Sequence, residues 1–242
     1  MTTFVLVHGS WHGSWCWHRV VPELVALGHQ VLAPDLPGHG DDATPLAQLT
    51  LAAYAKCVTA TVRAASGPVV LVGHSFGGIV ISQAAEIVPE RISRLIYLSA
   101  FLPANGQSLS RLATADADNP VATSSSISAD QQLIRLDLSR VQELLYADCP
   151  ESDVALARQR LCAEPVTPFI TPVKITAGRA GSIPRTYIEC LNDIAIPLWF
   201  QRRMQATVPC DPVYALPTGH SPFFAAPAEL ARLLCHLQRG TE

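Results

Sequence analysis

Residues 68–81 read Pro-Val-Val-Leu-Val-Gly-His-Ser-Phe-Gly-Gly-Ile-Val-Ile, and no other stretch of the chain constrains the fold as strongly. The run up to Val72 is short and β-branched-rich, as buried strands are, and the run from Ile79 to Val88 has a helical pattern closed by Pro89. Between them, Gly73-His74-Ser75-Phe76-Gly77 must turn the chain from strand to helix within a few residues. A serine at the apex of such a turn sits in strained backbone, at a cost on the order of 1–3 kcal/mol that only an enforcing environment sustains. Side chains at 73 and 77 would clash with the turn, which accounts for glycine at both. An incidental serine in a glycine-rich turn is the weaker explanation, because a strand precedes the motif and a helix follows it.

The rest of the chain repeats this alternation. Short apolar runs at Phe4 to Val7, Gln30 to Ala33, Leu95 to Leu98, Arg185 to Cys190 and Pro212 to Leu216 are bounded by Gly, Pro or polar residues. Helical patterns lie at 20–27, 49–65 and 227–237. Strands alternating with helices imply βαβ units, hence an α/β fold with about six mostly parallel strands flanked by helices. The rhythm stops between Pro103 and Ser182. That region holds a Ser-rich patch at 124–128, two short helices expected at 131–146 and 152–162, and a Pro/Thr-rich stretch at 165–172. It reads as a small helical cap, 103–182, inserted into a core made of 1–102 and 183–242.

Composition narrows the function. With 49% hydrophobic and 15% charged residues the chain can bury a large core. The net charge of -3 and the absence of a basic block argue against nucleic acid as a partner. No apolar stretch approaches the ~18 residues needed to span a bilayer, so no membrane association is expected. The seven cysteines are scattered without a C-x-x-C pair, which suggests neither a metal site nor a redox motif but reduced thiols. The first residues lack a basic segment before the short run Phe4 to Val7 and do not read as a secretion signal, so a cytoplasmic location is expected. Oligomeric state stays open, a homodimer included.

A serine hydroxyl attacks only when a neighbouring base removes its proton. In the α/β-hydrolase fold, whose nucleophile sits on such a strand-to-helix turn, the order is serine, acid, histidine. His220, in Pro217-Thr-Gly-His-Ser-Pro-Phe-Phe, is the one histidine in a late loop after a late strand. Asp193 follows the run 185–190 and so lies at a strand's carboxyl end, where active sites of open α/β sheets form. Asp211 precedes its strand and Glu189 lies within one, so both are weaker candidates for the acid. The first run ends in His8-Gly9-Ser10-Trp11-His12-Gly13. There the backbone amide of Ser10 is expected to join that of Phe76 in holding a reacting carbonyl oxygen, one donor being worth roughly 2.7–4 kcal/mol. Gly9, Trp11, His74 and Ser221 are the remaining candidates for the substrate pocket, although packing is the default role for Trp11 and bracing the turn the better account of His74. Asp35-Leu-Pro-Gly-His-Gly reads as a structural turn.

These motifs together resemble a group of α/β-hydrolases that includes plant methylesterases, hydroxynitrile lyases, bacterial arylesterases and pyrethroid-type carboxylesterases. The resemblance is carried by residues 4–17, Asp35-Leu-Pro-Gly-His-Gly, Val72-Gly-His-Ser-Phe-Gly-Gly, Asp193-Ile-Ala-Ile-Pro-Leu-Trp-Phe-Gln-Arg-Arg-Met and His220-Ser-Pro-Phe-Phe. It covers nearly everything outside the cap and implies Asp193 as the acid. The lyases of the group are similar to one another in having Thr where this chain has Gly9 and Lys where it has Ser221. The resemblance implies that this lysine handles the cyanide leaving group, a role serine cannot fill. Ester hydrolysis of a small apolar or aromatic ester, a methyl or aryl ester, through an acyl-enzyme and without cofactor is therefore expected. The alternatives are a hydroxynitrile lyase, lactonase or cyclase, or a non-catalytic small-molecule receptor.

Overall fold

The computed structural model describes residues 1–116 and 118–237. Among these, six strands form one parallel sheet: β1 (Thr3–Val7), β2 (Gln30–Leu32), β3 (Val69–His74), β4 (Ile92–Leu98), β8 (Arg185–Cys190) and β9 (Val213–Leu216). Their spatial order is β2-β1-β3-β4-β8-β9. The interior strands β1 and β3 are buried along their whole length, and the edge strands β2 and β9 are only partly so. This is why the interior strands read as unbroken apolar runs rather than as alternating patterns.

Side-chain alternation along the strands divides the core in two. Phe4, Leu6, Val70, Val72, Ile96 and Leu98 pack on one face with helices α1 (Val20–Ala26) and α11 (Pro227–Leu237). Val5, Val7, Val69, Leu71, Leu95 and Tyr97 pack on the other with α2 (Leu51–Ala64) and α3 (Gly77–Ile87). Thr50 caps α2 by accepting from the Ala53 amide. All six strands lie where the apolar runs predict them.

Between β4 and β8 the chain differs from the expectation of a purely helical insertion. It holds α4 (Leu109–Ala113), α5 (Pro120–Thr123), α6 (Val141–Leu145), α7 (Glu151–Arg160) and α8 (Val166–Ile170). It also holds an antiparallel sheet in the order β5 (Ser125–Ile127), β6 (Leu133–Leu136), β7 (Glu164–Pro165). The helix expected over 131–146 is thus a strand, a turn and a short helix. Asp137 makes the break: its carboxylate accepts from the Ser139 amide and hydroxyl, and its carbonyl accepts from Arg140. Beyond β8, α9 (Leu198–Thr207) packs Phe200 and Met204 against the sheet, and α10 (Pro222–Ala225) follows the loop that carries His220.

Candidate active site

Ser75 lies at the end of β3 with φ of 52°, in the left-handed region that a residue with a side chain seldom adopts. The turn closes because glycines let backbone approach backbone. A Cβ on Gly73 would stand 2.6 Å from the Gly77 carbonyl oxygen, and one on Gly77 would stand 2.7 Å from that of Val7. The Ser75 carbonyl accepts from the amides of Gly78 and Phe101, each at 3.1 Å. The amides of α3's first turn thereby face the end of the sheet where Ser75 lies.

His220 and Asp193 meet there although 27 residues apart: Nδ1 of the imidazole lies 2.7 Å from Asp193 Oδ2. Both are nearly excluded from solvent, at 5% and 4% exposure. The carboxylate is saturated. Oδ1 accepts from the amides of Ala195 and Ile196 at 2.7 and 2.9 Å, and Oδ2 also accepts from the Ser99 hydroxyl. Ser99, at the end of β4, was not a sequence candidate because a search for an acid passes over a serine. Its φ of 38° is a second strained position beside the first. With Nδ1 held by a carboxylate acceptor, Nε2 of His220 is the nitrogen left for the cavity. His220's own carbonyl accepts from His74 Nε2 at 2.8 Å, and the Gly219 amide donates to Asp148 at 2.7 Å, so the loop is fixed on both sides of the ring.

The rival acids stand apart from the imidazole. Glu189 is engaged by Arg202 at 3.1 and 3.2 Å. Asp211 precedes β9, its amide bonded to the Arg185 carbonyl and its carbonyl to the Arg94 guanidinium.

Ser75 and His220 open onto a common cavity of about 520 Å³. Ser10, Trp11, Phe101, Phe169, Phe200 and Ile196 supply much of its wall, and residues between β4 and β8 supply much of the remainder, from Leu109 to Leu145. Trp11, for which packing is the default expectation, is among the lining residues. Gly9, His74 and Ser221, the other pocket candidates, are not among its lining residues. Gly9 lies behind Ser75, where an added Cβ would come within 2.8 Å of the serine Cβ. His74 is buried as the brace of the His220 loop, and Ser221 is buried at the start of α10.

The peptide carrying the Ser10 amide is held by its neighbour. His8 Nδ1 donates to the Gly9 carbonyl at 2.8 Å, and His8 Nε2 accepts from the Leu36 amide at 3.1 Å. Burial drives the His8 and His74 rings well below the ordinary histidine value, with nearby histidines adding to the effect, so both are neutral. His12 falls to about 4, again chiefly through burial. Neutrality matters, since each ring must offer one donor and, for His8 and His12, one acceptor. Cys16, Cys190 and Cys162 offer no competing nucleophile: burial pushes the first two far up and Cys162 to about 12. Among the described residues no cluster of His, Cys, Asp or Glu is suited to holding a metal ion.

Known proteins share this construction. The chain is 35% identical over 248 residues to a putative chloroplastic methylesterase of Arabidopsis thaliana, covering 98% of this chain and 64% of that one. To a pyrethroid hydrolase of Sphingobium wenxiniae it is 34% identical, covering 97% of this chain and 86% of that one. The crystal structure of a pyrethroid hydrolase from Sphingobium faniae superposes with a TM-score of 0.89 at 32% identity, covering 99% of this chain and 98% of that one. A model of the alpha/beta hydrolase family matches residues 4–233. A parallel six-stranded sheet, a serine on a strained strand-to-helix turn and these matches agree: the chain belongs to the alpha/beta hydrolase family.

Proposed function

We propose that this protein hydrolyses carboxylic esters through an acyl-enzyme on Ser75. His220 Nε2 takes the Ser75 proton as Oγ attacks the ester carbonyl. The negative charge that develops on the carbonyl oxygen is met by the amides of Ser10 and Phe76, neither of which donates to another group among the described residues. His220 then gives its proton to the departing alkoxide, and the alcohol leaves. Water, deprotonated by the same ring, attacks the acyl-enzyme and releases the acid. Asp193 holds the Nδ1–H tautomer and stabilises the imidazolium.

The observation that carries this reading is the buried Asp193–His220 hydrogen bond, whose imidazole lines the same cavity as Ser75. The largely apolar, aromatic wall, in which the described residues include no Lys or Arg and Asp116 as the one carboxylate, supports a small neutral apolar or aromatic ester, a methyl or aryl ester, as substrate. The names of the methylesterase and pyrethroid hydrolase relatives point the same way. A lyase reading fares worse. A side chain at position 9 would press on Ser75, and Ser221 is buried away from the cavity. Residues 103–182 act as the cap that shapes the substrate chamber. No described helix is long and apolar enough to cross a membrane. Cys16, Cys57, Cys149, Cys162, Cys190 and Cys210 are free thiols, which supports a reducing, cytoplasmic location.

Ser75→Ala is expected to lower hydrolysis of p-nitrophenyl esters by at least ~10⁴-fold and to abolish labelling by a fluorophosphonate probe. Full activity in that variant refutes the proposal.

A further inference from the structure

The residues around Trp11 are held from an unexpected direction. Trp11 has φ of 62°, a strained conformation for a large side chain, and strain of this kind persists only where the surroundings enforce it. The enforcing groups come largely from the segment between β4 and β8. The Trp11 amide donates to Glu164 Oε2 at 2.9 Å, and the Trp11 carbonyl accepts from the Cys162 amide at 3.0 Å. On the preceding residue, the Ser10 carbonyl accepts from His12 Nδ1 at 2.7 Å, and His12 Nε2 accepts from the Tyr146 hydroxyl at 2.6 Å. The Ser10–Trp11 peptide is therefore gripped at both its oxygen and its nitrogen.

Glu164 is fully buried, and the same oxygen that binds Trp11 lies 3.0 Å from Nε2 of His39, itself buried. His39 Nδ1 faces the Pro37 carbonyl at 3.1 Å, so both ring nitrogens meet acceptors and the ring is held as imidazolium. Burial opposes that charge, but the adjacent carboxylate outweighs it and raises the ring above the ordinary histidine value. The turn Asp35-Leu-Pro-Gly-His-Gly thus does more than cap the sheet edge: it supplies the cation that pairs with Glu164 beside Trp11.

We infer that Glu164 and Tyr146 are positioning residues, which grip the Ser10–Trp11 peptide from the segment between β4 and β8 and so aim the Ser10 amide at the reacting carbonyl oxygen. This rests on the ester-hydrolysis reading above. Releasing the grip lets Trp11 relax out of its left-handed conformation and carries the adjacent Ser10 amide with it. The loss falls on the transition state, where the oxygen is charged, rather than on substrate binding.

The test compares the full-length protein with Ser75→Ala, Glu164→Ala, Glu164→Gln and Tyr146→Phe, using a p-nitrophenyl ester and an aryl trifluoromethyl ketone that mimics the tetrahedral adduct. Glu164→Ala is expected to lower kcat ~10–100-fold, less than the ~10²–10³ that losing a donor outright costs because the amide is misaimed rather than removed, with KM little changed. Affinity for the ketone should weaken by the factor by which kcat/KM falls. Glu164→Gln, whose carboxamide oxygen still accepts from Trp11, should recover most of that loss. Emptying a buried ion pair is destabilising, so Tyr146→Phe, a far milder change, provides a second reading: a roughly 3–10-fold fall in kcat with the same parallel in ketone affinity. Wild-type kcat and ketone affinity in both Glu164→Ala and Tyr146→Phe, with Ser75→Ala inactive, overturn the inference and leave ester hydrolysis standing. Full activity of Ser75→Ala removes the ester reading and this inference together.

Discussion

Asp193 illustrates how much of a site a sequence can give one residue at a time. Its place after an apolar run, ahead of Ile-Ala-Ile-Pro, was enough to select it over Asp211 and Glu189, because the fold puts such a residue at the carboxyl end of a strand. Ser99 could not be found that way. A single hydroxyl after β4 has no motif of its own, and only the approach of β4 and β8 brings it to the Asp193 carboxylate. Its removal leaves that oxygen with His220 alone, so the imidazole is less firmly oriented. Ser99→Ala is expected to lower kcat by roughly 3–10-fold, less than the full worth of a hydrogen bond to a charged group because the carboxylate keeps its other donors and the effect on the imidazole is indirect. Steady-state kinetics on an aryl ester should show KM nearly unchanged. The small side chain also suits the strained φ no better than serine does, so rescue by relaxation is not expected.

At the scale of elements, legibility followed the origin of the signal. The interior strands of the sheet are visible because burial on both faces demands apolar residues throughout, and the part-exposed edge strands β2 and β9 are visible as short apolar runs bounded by Gly, Pro or polar residues. β5 was not: Ser125 and Ser126 are polar, and the strand is held by pairing with β6 rather than by its own propensity. The same tertiary override turned the helix expected over 131–146 into β6, a turn and α6. The turn between β3 and α3 lies at the opposite extreme, since its glycines are dictated by backbone contacts. Gly73→Ala would drive a methyl to 2.6 Å from the Gly77 carbonyl oxygen. Neither partner is a side chain that could swing aside. Overpacking of this order costs about 1–3 kcal/mol, so thermal unfolding should show a lowered Tm, and activity should fall further than Tm because Ser75 lies two residues on.

The molecule as a whole carries an acid-sensitive core. His8, His12 and His74 are buried beneath the site and kept neutral, His12 down to about 4. In the unfolded chain these rings titrate near 6.5. Below that value the unfolded chain binds protons that the native state refuses, so stability rises with pH through the window and levels off above it. For His12 the window runs from about 4 to about 6.5. Each such histidine contributes up to about 1.4 kcal/mol per pH unit within its window. His39, raised by Glu164, acts in the opposite sense: its contribution is present below the ordinary value and is lost as pH climbs through its raised one. Urea midpoints measured across pH 4 to 8 should therefore fall steeply below about 6.5. A flat profile contradicts the neutral histidine core.

The lining of the chamber has a bearing on turnover as well as on selectivity. In the proposed reaction a neutral molecule becomes an anion inside walls whose described residues include Asp116 as the one carboxylate and neither Lys nor Arg. Once freed, the acid finds no counter-charge to detain it and a like charge to repel it, whereas water outside solvates it fully. The reaction thus manufactures its own impulse for departure, and the chamber clears itself for the next neutral guest.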